Sequence, residues 1–411
     1  MSEVPAVSRT SVAPWRELEI AMSPIDTTHL LAPTPRPDVV MTRGEGSWLY
    51  DETGNRYLDF VQGWAVNCLG HSSDVIRKSL LHQADQLLNP SPAYYNRPQL
   101  DLAARLCEKS GLDRVFFCNS GAEANEGAIK LARKWGKQNR GGATEIITFT
   151  GAFHGRTLAT MAATDKPDWD TLFAPGVEGF CRVEFGNLAA VKAAIGSQTV
   201  GIMLEPIQGE AGVVEPPEGF LASLRKLCDE HGLLLIFDEI QTGMSRTGPL
   251  FAYQSSTIAP DIMTLGKGLG GGVPIAAVLA SEKASCFEPG DQGGTFNGNP
   301  LMCAVGLAVL HTLCDADFAH AASQASDHLR ATLEHTAQKY SASVRGQGHL
   351  LAMVLPKPVA SEVVAHCFEA GLLINTPRPN VLRFMPSLTT SPSEIDEMIT
   401  ILSPILDEAL Q

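Results

Sequence analysis

No run in the sequence approaches the roughly 18 uninterrupted apolar residues of a membrane-spanning helix, and the opening stretch carries Glu3, Glu17 and Glu19 with no apolar leader core. These absences point to a soluble, cytoplasmic protein. Basic residues are also scarce: 31 Lys and Arg face 45 Asp and Glu, a formal net charge of −14. That field repels nucleic-acid phosphate and anionic lipid at long range, so neither nucleic acid nor membrane is an expected partner, while a local cationic pocket for a small anionic substrate stays open. The nine cysteines contain no Cys-x-x-Cys pair. Their odd number and wide scatter argue against a disulfide framework or a metal site and favour buried thiols in a reducing compartment. There is no internal repeat and no low-complexity run, which excludes a solenoid.

What is present is a globular composition, 44% hydrophobic and 18% charged over 411 residues. At roughly 100 to 200 residues per domain, two or three domains are expected. Residues 1–26 mix Ser, Pro and Thr without period and read as an arm. Residues 27–75 hold short strand-like pieces around Val40, Leu49 and Leu58, separated by polar turns at Gly44, Gly46 and Gly54, and read as a meander.

Residues 76–310 change character. Continuous apolar runs at 115–118, 146–149, 200–204, 233–237 and 262–265 alternate with helix-like segments, the signature of a parallel sheet covered on both faces. Residues 311–411 shift to an α+β pattern, with a helix through Lys339, a strand pair at 350–355, a helix at 361–370, strands at 372–374 and 381–384, and a last helix from Ser393. The expected fold class is therefore α/β: a large domain with a mostly parallel, doubly wound sheet, and a small α+β domain recruiting the N-terminal meander.

Open parallel sheets bind ligands beyond the carboxyl ends of their strands. After residue Cys118 comes Asn119-Ser120-Gly121-Ala122-Glu123-Ala124-Asn125-Glu126, opening a helix. Free N–H groups and the positive dipole end make such a turn a phosphate site, although an ordinary Ser N-cap has the same sequence. After Phe237 stands Asp238. A carboxylate at the end of a buried strand is costly unless a cation or several donors meet it, and a structural Arg or Lys is the plain expectation. After Leu265 comes Gly266-Lys267-Gly268-Leu269-Gly270-Gly271-Gly272. A lysine between glycines is open to a carbonyl ligand, and desolvation can remove its charge, which suits Schiff-base chemistry.

The Gly266-x-Gly268-x-x-Gly271 spacing matches the dinucleotide fingerprint, but Val273-Pro274-Ile275 follows in place of a helix, so the required context fails. Walker A fails as well, because Asp261 occupies its first glycine position and Gly268 follows the lysine. Taken singly, His154 in Phe153-His154-Gly155-Arg156 reads as a satisfied structural histidine and Arg156 as a salt-bridge partner.

Taken together, the segment from Asn119 to Glu126, Phe153-His154-Gly155-Arg156, Glu205-Pro206-Ile207-Gln208-Gly209-Glu210, Asp238-Glu239-Ile240-Gln241-Thr242-Gly243 and Gly266-Lys267-Gly268 resemble the class III pyridoxal-phosphate aminotransferases. The likeness runs from about Arg36 to the C-terminus. Ala65-Val66-Asn67-Cys68-Leu69-Gly70-His71 and Asn380-Val381-Leu382-Arg383-Phe384 are most similar to the acetylornithine subgroup.

The resemblance implies fold type I, the aspartate-aminotransferase type, with pyridoxal 5'-phosphate as cofactor and a homodimer sharing its active sites. It implies that Lys267 carries the cofactor and shuttles a proton, and that Asp238 pairs with the pyridine nitrogen. Gly121 and Ala122 would cradle the phosphate with Thr295 of the partner subunit, next to Gly294 at the substrate site. Phe153 would stack on the ring and Gln241 would bond near its phenolic oxygen. Arg156 and Arg383 would take substrate carboxylates, with Glu210 masking Arg383 when a terminal amine is bound. The implied reaction moves the terminal amine of N2-acetyl-L-ornithine to 2-oxoglutarate, within arginine biosynthesis. Ornithine, succinylornithine and 4-aminobutyrate are the rival donors. Two positions depart from the pattern: Trp64 stands where smaller residues are expected, either packing in the core or narrowing the substrate channel, and Asn297 stands where Gly is common.

Overall fold

Seven strands form the central sheet of the computed structural model, which describes residues 25–31, 33–256 and 258–411. Residues 1–24 of the expected arm lie outside them. The strand order is Arg114–Cys118, Ala276–Ala280, Ile262–Leu265, Leu234–Asp238, Thr199–Leu204, Glu145–Phe149 and Phe180–Val183. All five apolar runs read from the sequence are strands of this sheet. Ala276–Ala280 is antiparallel to both neighbours, and the remaining pairings are parallel. Two further strands lie outside those five runs. Ala276–Ala280 is rich in alanine, which carries little strand propensity, and Phe180–Val183 is a half-buried edge with Arg182 inside it.

The two-residue period of the strands sends alternate side chains to opposite cores. Ile147, Leu235, Phe237, Met263 and Leu265 join one cluster. Ile146, Leu234, Ile236 and Ile262 join the other, against the helix Gly121–Asn139. That helix buries Ala124, Ala128, Ile129, Leu131, Ala132 and Trp135 at helical spacing. It begins with a full capping box between Ser120 and Glu123. Both features fix its N-terminus at the carboxyl end of the sheet.

Two four-stranded sheets complete the fold. Met41–Glu45, Trp48–Asp51 and Arg56–Asp59 form the antiparallel meander, and Leu372–Leu373 from the far end of the chain adds to it in parallel. Ser343–Gln347, Leu350–Val354, Val381–Phe384 and Asn375–Arg378 form the other, all antiparallel. Leu58 and Phe60 of the N-terminal segment share a core with Leu329, Leu333, Phe384 and Leu402. No single helix among the described residues is long and apolar enough to cross a membrane. All nine cysteines are free, five of them buried.

Candidate active site

A cleft of about 260 Å³ opens at the carboxyl ends of the parallel strands. The start of the Gly121–Asn139 helix contributes Gly121 and Ala122, and the loop after Glu145–Phe149 contributes Phe153 and Arg156. Asp238 and Gln241 come from the end of Leu234–Asp238, Glu210 from the loop after Thr199–Leu204, and Lys267 from the turn after Ile262–Leu265. Eight of the residues singled out in the sequence thus meet in one place, as the strand-end rule requires.

At one end the capping box engages the N–H groups of Asn119, Ser120 and Glu123 and leaves those of Gly121 and Ala122 to the cleft. Backbones come close here. A Cβ on Gly121 would lie 2.9 Å from the Ile240 side chain, and one on Gly266 would lie 3.5 Å from the Gly121 Cα. The combination of free donors, a helix dipole and no side chains suits a phosphate.

Asp238 is 3% exposed. Among the described residues no Lys or Arg forms the ion pair expected of a plain structural partner, and the carboxylate meets three donors instead. Its Oδ2 accepts from Asn125 Nδ2 at 2.7 Å and from His154 Nδ1 at 2.8 Å, and its Oδ1 accepts from the Ile240 N–H at 3.1 Å. Asn125 is held in turn by Thr264, whose hydroxyl donates to Asn125 Oδ1 at 2.8 Å. Burial alone would push the His154 imidazole down, but the Asp238 hydrogen bond and charge outweigh it and raise it. His154 Nε2 has no partner among the described residues, so of the two ring nitrogens that a satisfied structural histidine would bond, Nδ1 is paired. Asn125 belongs to the segment from Asn119 to Glu126, where the motif alone assigns it no role. Its signal is spacing, since it lies one turn after Gly121 on the inward face of the helix.

Lys267 adopts φ 42°, the left-handed region that a lysine rarely occupies. Its carbonyl accepts the N–H groups of Gly270 and Gly271, and Cys68 Sγ donates to the Gly268 carbonyl at 3.3 Å, so the turn is braced on both sides. Burial pushes the ammonium well below its usual range; Glu210 opposes the shift and Arg383 adds to it. A short 3-10 turn, Lys267–Leu269, and then the antiparallel strand follow, so the dinucleotide fingerprint has no helix here either.

Arg383 is 1% exposed, on the strand Val381–Phe384. Its Nη1 donates to Glu210 Oε1 at 2.7 Å and to the Gly209 carbonyl at 2.9 Å, and its Nε to Asn375 Oδ1 at 3.1 Å. Burial would raise the Glu210 carboxyl, but Arg383 holds it below the usual range. Arg156 is exposed and forms no ion pair among the described residues, against the salt-bridge reading; its guanidinium lies 5.6 Å from the Trp169 ring centre. Neither buried amide atom of Gln241 meets hydrogen-bond geometry with a described residue, although the amide lies near enough to Glu210 to help Arg383 hold that carboxyl low.

Gly294 and Thr295 do not line this cleft. They sit on an exposed loop whose Asn297 accepts from Asn119 Nδ2 at 2.8 Å, tying it to the start of the phosphate-type turn. Trp64 is 52% exposed, which removes the core-packing alternative. It lies in a turn where Gln62, Gly63, Trp64 and Ala65 all have positive φ, and Asp59 accepts the N–H groups of Val61 and Gln62 at its start.

The family model of the class-III aminotransferases matches residues 32–406. The chain belongs to this family. Among curated class-III aminotransferases, it is 54% identical over 381 residues to acetylornithine aminotransferase 2 of Bordetella pertussis, covering 92% of this chain and 96% of the relative. It is 52% identical over 395 residues to acetylornithine aminotransferase of Ralstonia nicotianae, covering 94% and 99%. Among solved structures it resembles N-acetylornithine aminotransferase from Stenotrophomonas maltophilia K279a, with TM-score 0.80, 38% identity, and 91% and 96% of the two chains covered. It also resembles ornithine aminotransferase from Toxoplasma gondii ME49, with TM-score 0.88, 32% identity, and 93% of each chain covered. Class-III aminotransferases use pyridoxal 5'-phosphate. The cleft fits that cofactor through the free N–H groups of the glycine turn, the orphaned Gln241 amide and a buried lysine able to lose its charge.

Proposed function

We propose that this aminotransferase moves the terminal amine of N2-acetyl-L-ornithine to 2-oxoglutarate, yielding N-acetyl-L-glutamate 5-semialdehyde and L-glutamate for arginine synthesis. The observation that carries the reading is the 2.7 Å pair between Arg383, buried just behind the cleft wall, and Glu210, which lines the same cleft as Arg156, an arginine with no ion pair among the described residues. A donor with one carboxylate and a terminal amine needs one free arginine and a second one masked. A dicarboxylic acceptor needs both, and Glu210, only partly buried, can swing aside to release Arg383.

The bound cofactor supplies an electron sink for the substrate carbon that loses its proton. Lys267 would anchor it, and its Nζ, whose hold on a proton burial weakens, would take and return that proton. Asp238, itself fixed by His154 and Asn125, would hold a proton on the ring nitrogen. Gly121 and Ala122 would bind its phosphate through backbone N–H groups, Phe153 would cover a ring face, and Gln241 would turn its amide to the phenolic oxygen. Arg156 holds the α-carboxylate of the donor in the bidentate geometry that arginine offers and lysine does not.

A homodimer completes the site. Tyr94, Tyr95, Phe296 and Leu88 are all exposed, Tyr95 by 88%, as expected of a face that meets a second copy. Gly294 and Thr295 lie on the same exposed loop as Phe296 and reach the other subunit's cleft. A cytoplasmic setting agrees with the free cysteines. Ornithine is the second donor to consider, given the high structural similarity to an ornithine aminotransferase.

The test is the visible band of the cofactor-loaded enzyme with each donor added alone. Fastest loss with N2-acetyl-L-ornithine, reversed by 2-oxoglutarate, is the expected result. Faster loss with ornithine, succinylornithine or 4-aminobutyrate would replace the donor and keep the reaction type.

A further inference from the structure

Glu205 follows directly on the strand Thr199–Leu204, is 5% exposed and lines the cleft, yet none of the roles above employs it. Its two carboxyl oxygens serve different loops. Oε1 accepts the Phe153 N–H at 2.9 Å, and Oε2 accepts the Gly209 N–H at 3.4 Å. The Gly209 carbonyl then accepts Arg383 Nη1 at 2.9 Å, the nitrogen that also donates to Glu210. One carboxyl is thereby linked to the aromatic wall of the cleft and, through a single residue, to the Arg383–Glu210 pair. Gly209 has no slack, because a Cβ there would overlap Gln241 Oε1.

We propose that Glu205 is a positioning residue that couples Phe153 to the Arg383–Glu210 pair, so that one carboxyl sets both the cofactor face and the substrate gate. The inference rests on the functional reading of those residues given above. A carboxylate offers two acceptors in two directions, whereas glutamine offers one and turns an NH₂ group against the other N–H. Packing alone would be met by an apolar side chain without the desolvation penalty of a buried acid. Burial indeed pushes this carboxyl up to about 7, with the neighbouring His154 opposing the shift. Gln208 provides an internal control. Its Nε2 donates to the Thr150 carbonyl at 2.9 Å, stitching the same two loops without lining the cleft.

The experiment compares cofactor-loaded wild type, E205Q, Q208A, F153L and E210A by two readouts. One is the visible circular dichroism of the bound cofactor. The other is the ratio of half-reaction rates with N2-acetyl-L-ornithine and L-glutamate. E210A should move the ratio alone and F153L the dichroism alone. E205Q should move both, the ratio by about fivefold, the worth of one hydrogen bond, and Q208A should move neither. If E205Q changes only one readout, or neither, while wild type reacts with both donors, the inference is overturned. If E205Q does not fold, Glu205→Asp, which keeps both acceptors on a shorter stem, is read by the same criteria. A wild type inert to both donors would overturn the functional reading, and the gate half of this inference with it.

Discussion

His154 Nδ1 donates to Asp238 Oδ2 at 2.8 Å, with both side chains buried. The pair explains how a carboxylate can sit at the end of a buried strand with no lysine or arginine bonded to it among the described residues, and it sets the orientation of the Asp238 carboxylate in the cleft. Breaking a buried pair from one side leaves an uncompensated charge. His154→Leu is therefore expected to destabilise the apo-protein by about 3 kcal/mol in urea denaturation near pH 6. The imidazole is raised in the folded protein, so its contribution is complete below the unfolded histidine range and is lost as pH rises through the folded value. The stability gap between wild type and variant should accordingly shrink as the pH rises above neutral.

Lys267 is pushed down mainly by burial, with Glu210 opposing and Arg383 assisting. Glu210→Gln should move the pH at which the apo-enzyme captures pyridoxal phosphate half-maximally to a lower value, and Arg383→Leu should move it to a higher one. The capture rate at the visible band, followed across pH, reports both signs. Shifts in the same direction would contradict this electrostatic account.

Arg156 is free of ion pairs among the described residues and rests near Trp169. Arg156→Lys keeps the charge but removes the planar fork, so the KM for N2-acetyl-L-ornithine should rise by roughly 10- to 100-fold, with a smaller change in kcat. Steady-state kinetics with the donor varied at saturating 2-oxoglutarate measure this.

Glu239 is fully buried, and its carboxyl accepts the N–H groups of Ala252 and Tyr253. Burial raises it to about 7, against the opposing effect of those hydrogen bonds. The folded protein therefore binds a proton that the unfolded chain releases near pH 4.5, and stability from this group falls as pH rises from about 4.5 through 7. Glu239→Gln should flatten the pH dependence of the unfolding free energy in that window by on the order of 2 kcal/mol, measured by urea titrations of the apo-protein at pH 5 and pH 7.5.

The apolar runs ending at Cys118, Phe149, Leu204, Phe237 and Leu265 were legible because a strand buried on both faces must be continuously hydrophobic. The residues just beyond them were legible as site candidates because polar groups at such ends need a reason to be there. The parallel core, the glycine turn at Gly121, the carboxylate at Asp238 and the glycine-flanked Lys267 thus follow from residue order alone; the residue order left other features open. It did not determine the antiparallel course of Ala276–Ala280, since alanines carry no strand period, nor the parallel addition of Leu372–Leu373 to the N-terminal meander, a pairing of residues more than three hundred positions apart. It took the packing of the whole chain to lean Asp238 on His154 and Asn125, to close Arg383 on Glu210, and to bring Glu205 to the Phe153 N–H. These are contacts between side chains and loops far apart along the chain. Their distances are set by how strands and helices pack, and no local period, cap or turn signal encodes them.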